Sequence, residues 1–346
     1  MSPEAALDPP RAHGAPLCAA RLRTEPEDFL VEELLGFEAS GTGQHVLLKV
    51  RKRNANTLWI ARELANACGC RAGDVGYAGL KDRRAVAVQW FTVPQSRLAP
   101  SDWIGKGSGE YEVLEAHRHS RKLPRGALAG NRFVITARGA AVDEASLAGR
   151  LAAIESRGVP NYFGPQRFGR DGANLQRMGE DLRALRPADR GFILSAARSL
   201  VFNAVLAARV GDGSWERLEP GDLANLDGRA SHFRVETPDE TLIERCTRLD
   251  IHPTGPLWGS GSPLTGGRVL ELEQCVASGL TTACGLTARA GMEHERRSLR
   301  LAVRNLQWQR EEDAVILQFR LSRGAYATAV LREVFAVDAD YEESST

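Results

Sequence analysis

The chain has 346 residues, 43% of them hydrophobic and 26% charged, with a formal charge of +1; this is the profile of a globular protein large enough for two domains. No uninterrupted run of about 18 apolar residues occurs, so no membrane-spanning segment is expected, and the even charge leaves any nucleic-acid binding to local patches. Six dispersed cysteines (Cys18, Cys68, Cys70, Cys246, Cys275 and Cys284) have no framework spacing, which excludes a disulfide scaffold.

Residues 1–20 are rich in Pro and Ala and carry Glu4 and Asp8. They read as a flexible tail without the apolar stretch of a signal peptide, so the expectation is a cytoplasmic protein with reduced thiols. "DFLVEELLGF" and "QHVLLKVRKR" predict two strands paired as a hairpin across Gly41-Thr42-Gly43. "NTLWIARELANACG" predicts a helix capped by Asn56 or Thr57, with Leu58, Ala61, Leu64 and Cys68 on one face and Gly69 at its end. A strand over 86–93 closes at Pro94. "EYEVLEAHR" and "NRFVITARG" predict two more strands around a loop that holds Arg118, Arg121, Lys122 and Arg125. Leu147, Leu151 and Ile154 mark a helix over 143–157.

From "RGVPNYFGPQRFGRDGANL" to about Glu295 the pattern changes to helices between glycine-rich loops. Phe192–Arg209 is periodic and stops at Gly211, "TPDE" at 237–240 reads as a capping box with Pro238 first in the helix, and "HPTGPLWGSGSPLTGG" reads as a loop. Strand character returns with "SLRLAVRNLQWQ" and "AVILQFRLSR", a hairpin across 310–313, before "GAYATAVLREVF" as a closing helix. This is an α+β pattern, one sheet domain interrupted by an insertion.

The chain contains no G-x-S-x-G elbow after a strand, no Walker loop, no dinucleotide fingerprint and no zinc-protease motif. His117 and His119 lack an evident third ligand, and Cys68-Gly-Cys70 lacks a second pair, so no metal site is expected. One acid remains: Asp82, pressed between Lys81 and Arg83-Arg84 at the mouth of a strand. Neighbouring cations favour its ionised form, which serves as nucleophile or base; a solvated surface turn has the same pattern. Phe133 near the basic loop, and Tyr162, Phe163 and Phe168 among Arg167 and Arg170, fit bases stacked on rings or equally a buried core. The residues alone reach a possible RNA-binding protein with one candidate catalytic aspartate.

Seven blocks, "EPEDFLVEEL", "NANTLWIARELA", "GYAGLKDRRAVAVQWFTV", "RKLPRGALAGNRFVI", "GVPNYFGPQRFGRDGANL", "LSAARSLVFN" and "GAYATAVLREV", together resemble the TruD family of tRNA pseudouridine synthases, the group assigned to uridine 13. The resemblance spans nearly the whole chain after the tail. It implies an α+β fold: a pseudouridine-synthase catalytic domain with a mixed or antiparallel sheet and flanking helices over 21–157 and 305–346, interrupted by a helix-rich insertion domain over 158–304. It also implies isomerisation in place, the base being cut from C1′, turned and rejoined through C5, with Asp82 of "GLKD" as the catalytic aspartate. Substrate contacts carried over are Arg23 (often lysine in relatives), Phe29, Lys81, Asn131, Phe133 and Tyr326 (commonly phenylalanine). Arg121, Lys122, Arg125 and Arg167 are candidate RNA contacts. The implied partner is tRNA around uridine 13 in the D-arm region, with no cofactor, no membrane and no obligatory protein partner. A non-catalytic tRNA-binding or tRNA-folding protein is the alternative; a metal-dependent nuclease would want a second acid near Asp82, and the block has none.

Overall fold

A computed structural model describes residues 7–229 and 231–337. These form two compact units: a strand-rich one of Cys18–Ala141, Arg304–Gly324 and the chain from Ala336, and another of the chain up to Leu17, Val142–Val303 and Ala325–Phe335.

In chain order the first unit begins β1 (Cys18–Ala20), β2 (Phe29–Leu35), β3 (His45–Arg53), α1 (Thr57–Cys68), β4 (Gly76–Tyr77), β5 (Val86–Pro94), β6 (Gly107–Ser108), β7 (Tyr111–His119) and β8 (Leu128–Arg138). The second contains α2 (Glu144–Arg157), β9 (Val159–Pro160), α3 (Pro187–Gly211), β10 (Leu223–Leu226), β11 (His232–Arg234), α4 (Glu240–Thr247), β12 (Ile251–Leu257), α5 (Gly267–Gly279), α6 (Thr281–Arg289), β13 (Glu295–Ser298) and β14 (Arg300–Leu301). Then come β15 (Arg304–Glu311) and β16 (Ala314–Ser322) of the first unit, and α7 (Ala327–Leu331) of the second.

The large sheet runs β15-β16-β8-β2-β5-β3-β7-β6, with β4 also on β5. It is mixed: β2 and β5 are parallel, while β5 and β3 are antiparallel. The expected β2–β3 hairpin is therefore absent, because β5 lies between the two. Its residues Val86, Ala87, Phe91, Thr92 and Val93 are buried on both faces, which suits a central strand. The β15–β16 hairpin forms as the pattern predicts. One face of the sheet follows the period of two: Val46, Leu48, Val50 and Lys52 on β3, Phe29, Val31 and Glu33 on β2, and Asn131, Phe133, Ile135 and Ala137 on β8 are all buried.

Helix α1 covers part of that face with Ile60, Ala61, Leu64 and Ala65, packed with Phe91 and Trp103. Asn56 caps it by accepting from the Leu58 amide, and Gly69 ends it with φ 73°. Leu58, expected on the buried face, is 44% exposed, because the apolar stripe passes one residue to its side, through Ile60 and Ala61.

In the second unit Phe163, Phe168, Trp215 and the Ile193, Leu200, Val201, Phe202 and Leu206 side chains of α3 share one core. Helix α3 is long and apolar enough to cross a membrane by length and composition; most of its apolar side chains are covered by this core, while Phe192 is exposed. Strands β11-β10-β12-β13 form an antiparallel sheet that the helical reading did not include. The "HPTGPL" stretch read as loop belongs to β12, with Ile251 to Pro256 buried. Asp239, one residue beyond Pro238, caps α4 by accepting from the Leu242 amide. The closing helix shrinks to five residues.

Helix α2 belongs by its contacts to the second unit, and the first segment of the strand-rich unit runs Cys18–Ala141. Its Arg157 donates to Glu216 at 2.9 Å, and its Arg150 to the Ala15 carbonyl at 3.1 Å. Residues 8–17, expected to be part of a loose tail, are held by hydrogen bonds: the Ala12 and His13 amides both donate to the buried Glu333 carboxylate at 3.0 Å. Arg332 also pairs with Asp8 at 3.1 Å. Residues 1–6 of that tail and 338–346 of the C-terminal segment lie outside the described residues.

Candidate active site

Asp82 stands in the loop between β4 and β5, with its side chain 35% exposed. Its Oδ2 accepts from Arg23 Nη2 at 2.5 Å. Arg23 is 5% exposed and lies just after the backbone bridge of Arg21 to Arg138. Its φ of 56° is left-handed, a conformation that costs a non-glycine residue about 1 kcal/mol or more and persists where the surroundings fix it. Its guanidinium sits 4.1 Å from the centre of the Phe29 ring. Phe29 meets Phe133 edge to face at 6.1 Å, and Phe133 meets Phe319 at 5.5 Å. A chain of contacts thus links the carboxylate to an aromatic wall built on β2, β8 and β16.

The residues next to Asp82 in sequence are not its partners. Lys81 turns inward to the buried Glu33 of β2, with Nζ 2.9 Å from Oε1. Glu33 also accepts from the Trp90 amide at 2.8 Å and from Gln89 Nε2 at 3.3 Å. Gln89 in turn donates to the Gly79 carbonyl and accepts from Thr57, whose hydroxyl accepts from the Lys81 amide. Lys52 Nζ reaches the same loop from β3, donating to the carbonyls of Ala55 at 2.6 Å and Asp82 at 2.8 Å. The sequence reading passed over Lys52, Glu33 and Gln89. Their period-two positions among inward apolar residues were the available signal.

Asn131 faces Glu33 directly across the β2–β8 register. Its side-chain oxygen is buried and has no hydrogen-bond partner among the described residues, an arrangement that leaves an acceptor for another molecule. Phe133, two residues on, is 6% exposed, so its ring is already mostly packed.

The basic loop is partly engaged. Lys122 donates to the Gly73 carbonyl, Arg125 stacks 3.6 Å from the centre of the Tyr77 ring, and Arg121 is exposed. Arg167 and Tyr326 belong to the second unit, where Arg167 Nη2 donates to the Tyr326 hydroxyl at 3.0 Å and Nη1 to Ser195 at 2.9 Å. Six of the expected site residues (Asp82, Arg23, Phe29, Lys81, Asn131 and Phe133) therefore share the strand-rich unit, and these two do not. His119 is buried, stacks on Phe37 and accepts from the Ser40 amide; desolvation first, then the charge of Arg121, lowers its pKa. His117 pairs with Glu115. Among the described residues, no group of three or more His, Cys, Asp or Glu is placed to hold a metal ion.

The family model for tRNA pseudouridine synthase D (TruD) matches residues 12–184 and 173–334. A protein of Methylococcus capsulatus named tRNA pseudouridine synthase D is 46% identical over 96% of this chain and 95% of its own length. One of the same name from Nitrosococcus oceani is 48% identical over 92% of this chain and 91% of its own. A crystal structure from Methanosarcina mazei, described as a putative tRNA pseudouridine synthase D, superposes with a TM-score of 0.70 over 95% of each chain at 20% identity, a likeness of fold. With a matching family model over nearly its full length, close relatives and a shared fold, the chain belongs to the TruD family of tRNA pseudouridine synthases.

Proposed function

We propose that this chain converts uridine 13 of tRNA to pseudouridine and that Asp82 is the catalytic group. The observation that carries the reading is the setting of Asp82, a carboxylate open to solvent on one side and paired on the other with a buried arginine. Such a counter-ion aims the acid without covering it. The reaction balances without a redox partner: C1′–N1 breaks, C1′–C5 forms, C5 loses a proton and N1 gains one. One well-placed carboxylate, acting as nucleophile or base, suits that chemistry.

The remaining residues take supporting roles in the strand-rich unit, which on this reading is the catalytic one. Asn131 offers its open acceptor to an N–H of the uracil, which has left its stack. Phe133 and Phe29 give that base an apolar wall. Lys81 anchors the loop through Glu33. Arg121 on the exposed loop, with Lys122 and Arg125, meets backbone phosphates near the D arm; Arg167 and Tyr326, a bonded pair of the second unit, are RNA contacts on their own. Asp82→Asn keeps the shape and removes the reactive oxygen. Tritium release from C5-labelled uridine in a tRNA transcript should fall below about a hundredth of wild type, while filter binding of the same tRNA persists. Substantial activity in this variant would take Asp82 out of the mechanism.

A further inference from the structure

Lys52 is the most deeply buried ammonium near the site, 1% exposed on a strand whose inward neighbours are Val46, Leu48 and Val50. Burying a charge there is expensive unless every donor is used. The three donors of the ammonium meet three backbone carbonyls, Ala55 at 2.6 Å, Asp82 at 2.8 Å and Lys81 at 3.5 Å. Ala55 lies between β3 and α1, and Lys81 and Asp82 lie in the loop before β5. One side chain therefore ties the peptide that carries the candidate catalytic acid to the end of a central strand. The Asp82 carboxylate itself is left to Arg23.

We propose that Lys52 is a positioning residue: its charged, triply donating head fixes the backbone of Asp82 and so sets where the carboxylate stands. This rests on Asp82 being the catalytic group. Nothing in the role brings Lys52 to the substrate. A displacement of about 1 Å at a reacting group can cost on the order of a hundredfold in rate, so the rate, and not the affinity for tRNA, is the quantity that Lys52 controls.

Protonation gives the proposal a signature that simple structural support lacks. Desolvation lowers the Lys52 pKa to about 8, against the opposing pull of Asp82 and Glu33 and with the repulsion of Lys81. Those three, with Arg23 on the far side of Asp82, are the charged groups that face it; Arg51 and Arg53 alternate to the other face of β3. Above that pH the neutral amine has two donors for three carbonyls, and the clamp loosens. The sign for stability is opposite. A lysine whose folded pKa is below its unfolded one gives the folded state fewer protons between about pH 8 and 10.5, so this group's contribution to stability rises with pH in that window. Turnover should fall where the same group favours folding.

The test is single-turnover tritium release from a C5-tritiated tRNA transcript across this pH range, with thermal unfolding measured beside it. Wild type should lose rate above about pH 8 without loss of its folded state; a flat profile overturns the proposal. Lys52→Met should lower the rate about a hundredfold at neutral pH with half-saturating tRNA within about threefold of wild type. Lys52→Met that is folded and turns over normally also overturns it. Lys52→Arg keeps the charge at all these pH values and should move the falling limb upward; an unmoved limb assigns it to another group. If Lys52→Met does not fold, the comparison of wild type with Lys52→Arg decides. Activity of Asp82→Asn in the same assay would fail the parent reading and this one with it, whereas an inactive Asp82→Asn beside a folded Lys52→Met of normal rate would fail this one alone.

Discussion

Two substitutions at Phe133, to Ala and to Leu, together separate two roles that the sequence left open, a ring in the core and a ring for the base. The structure packs Phe133 at 6% exposure between Phe29 at 6.1 Å and Phe319 at 5.5 Å. Removing a buried ring costs about 3–5 kcal/mol, of which two aromatic pairs account for roughly 1–3 kcal/mol. For a unit of this size, each kcal/mol lowers the melting temperature by about 2–4 °C. Phe133→Ala should therefore melt on the order of 10 °C early, whichever role is right, and cannot decide alone. Phe133→Leu keeps most of the volume and removes the ring face, so its stability cost should be nearer about 1–2 kcal/mol. If the ring stacks on the extruded uracil, losing about 1–3 kcal/mol of stacking slows turnover roughly 5- to 150-fold per folded molecule. Thermal unfolding beside single-turnover tritium release measures both. Phe133→Leu with its modest loss of stability and a normal rate would refute the stacking role and leave Phe133 as core.

Two further outcomes are expected. Neutralising Arg121, Lys122 and Arg125 together should flatten the salt dependence of tRNA binding by a slope nearer about 1 than 3, because Lys122 and Arg125 already have protein partners; filter binding over a salt series reads the slope, and an unchanged slope removes the loop from the RNA path. Burial, the largest influence, raises the pKa of Glu333 above that of an ordinary glutamate despite the opposing pull of Arg332 and of the His13 and Ala12 amides. The folded state then holds the extra proton, so this group's contribution to stability falls as pH rises from about 4 through the folded value. Glu333→Gln should flatten that part of a melting-temperature profile while keeping an acceptor for the Ala12 and His13 amides; a profile as steep as wild type would show that another group sets it.

The strands and helices were legible where burial has a single period. Leu147, Leu151 and Ile154 mark α2, all three fully or nearly fully buried, and the alternation in "NRFVITAR" marks β8. The pairing of β2 was not, because a strand's pattern states which face is inward and says nothing of which neighbour it takes. Here the partner β5 comes from more than fifty residues further on, so local turn signals at Gly41–Gly43 pointed to the wrong strand. Residues 8–17 looked like a tail for a related reason: their stabilising partner, Glu333, is 320 residues away from His13.

The same geometry governs the site. Asp82 drew attention through its neighbours Lys81, Arg83 and Arg84, yet residues next to each other in a loop seldom point to the same place. The loop turns Lys81 inward to Glu33 and leaves the carboxylate to Arg23, 59 residues earlier. What the sequence did contain was the other half of the arrangement. In "FLVEELL" the inward positions read Phe29, Val31, Glu33, and in "VLLKVRKR" they read Val46, Leu48, Val50, Lys52. A charge in an inward series must be matched inside the fold, since an unpaired one would cost several kcal/mol. Both series aim at the segment that carries Asp82: Glu33 through Lys81, Lys52 through the loop's own carbonyls. The loop that carries Asp82 is thus tied to two buried charges of opposite sign, to Glu33 through the Lys81 side chain and to Lys52 through the carbonyls of Lys81 and Asp82.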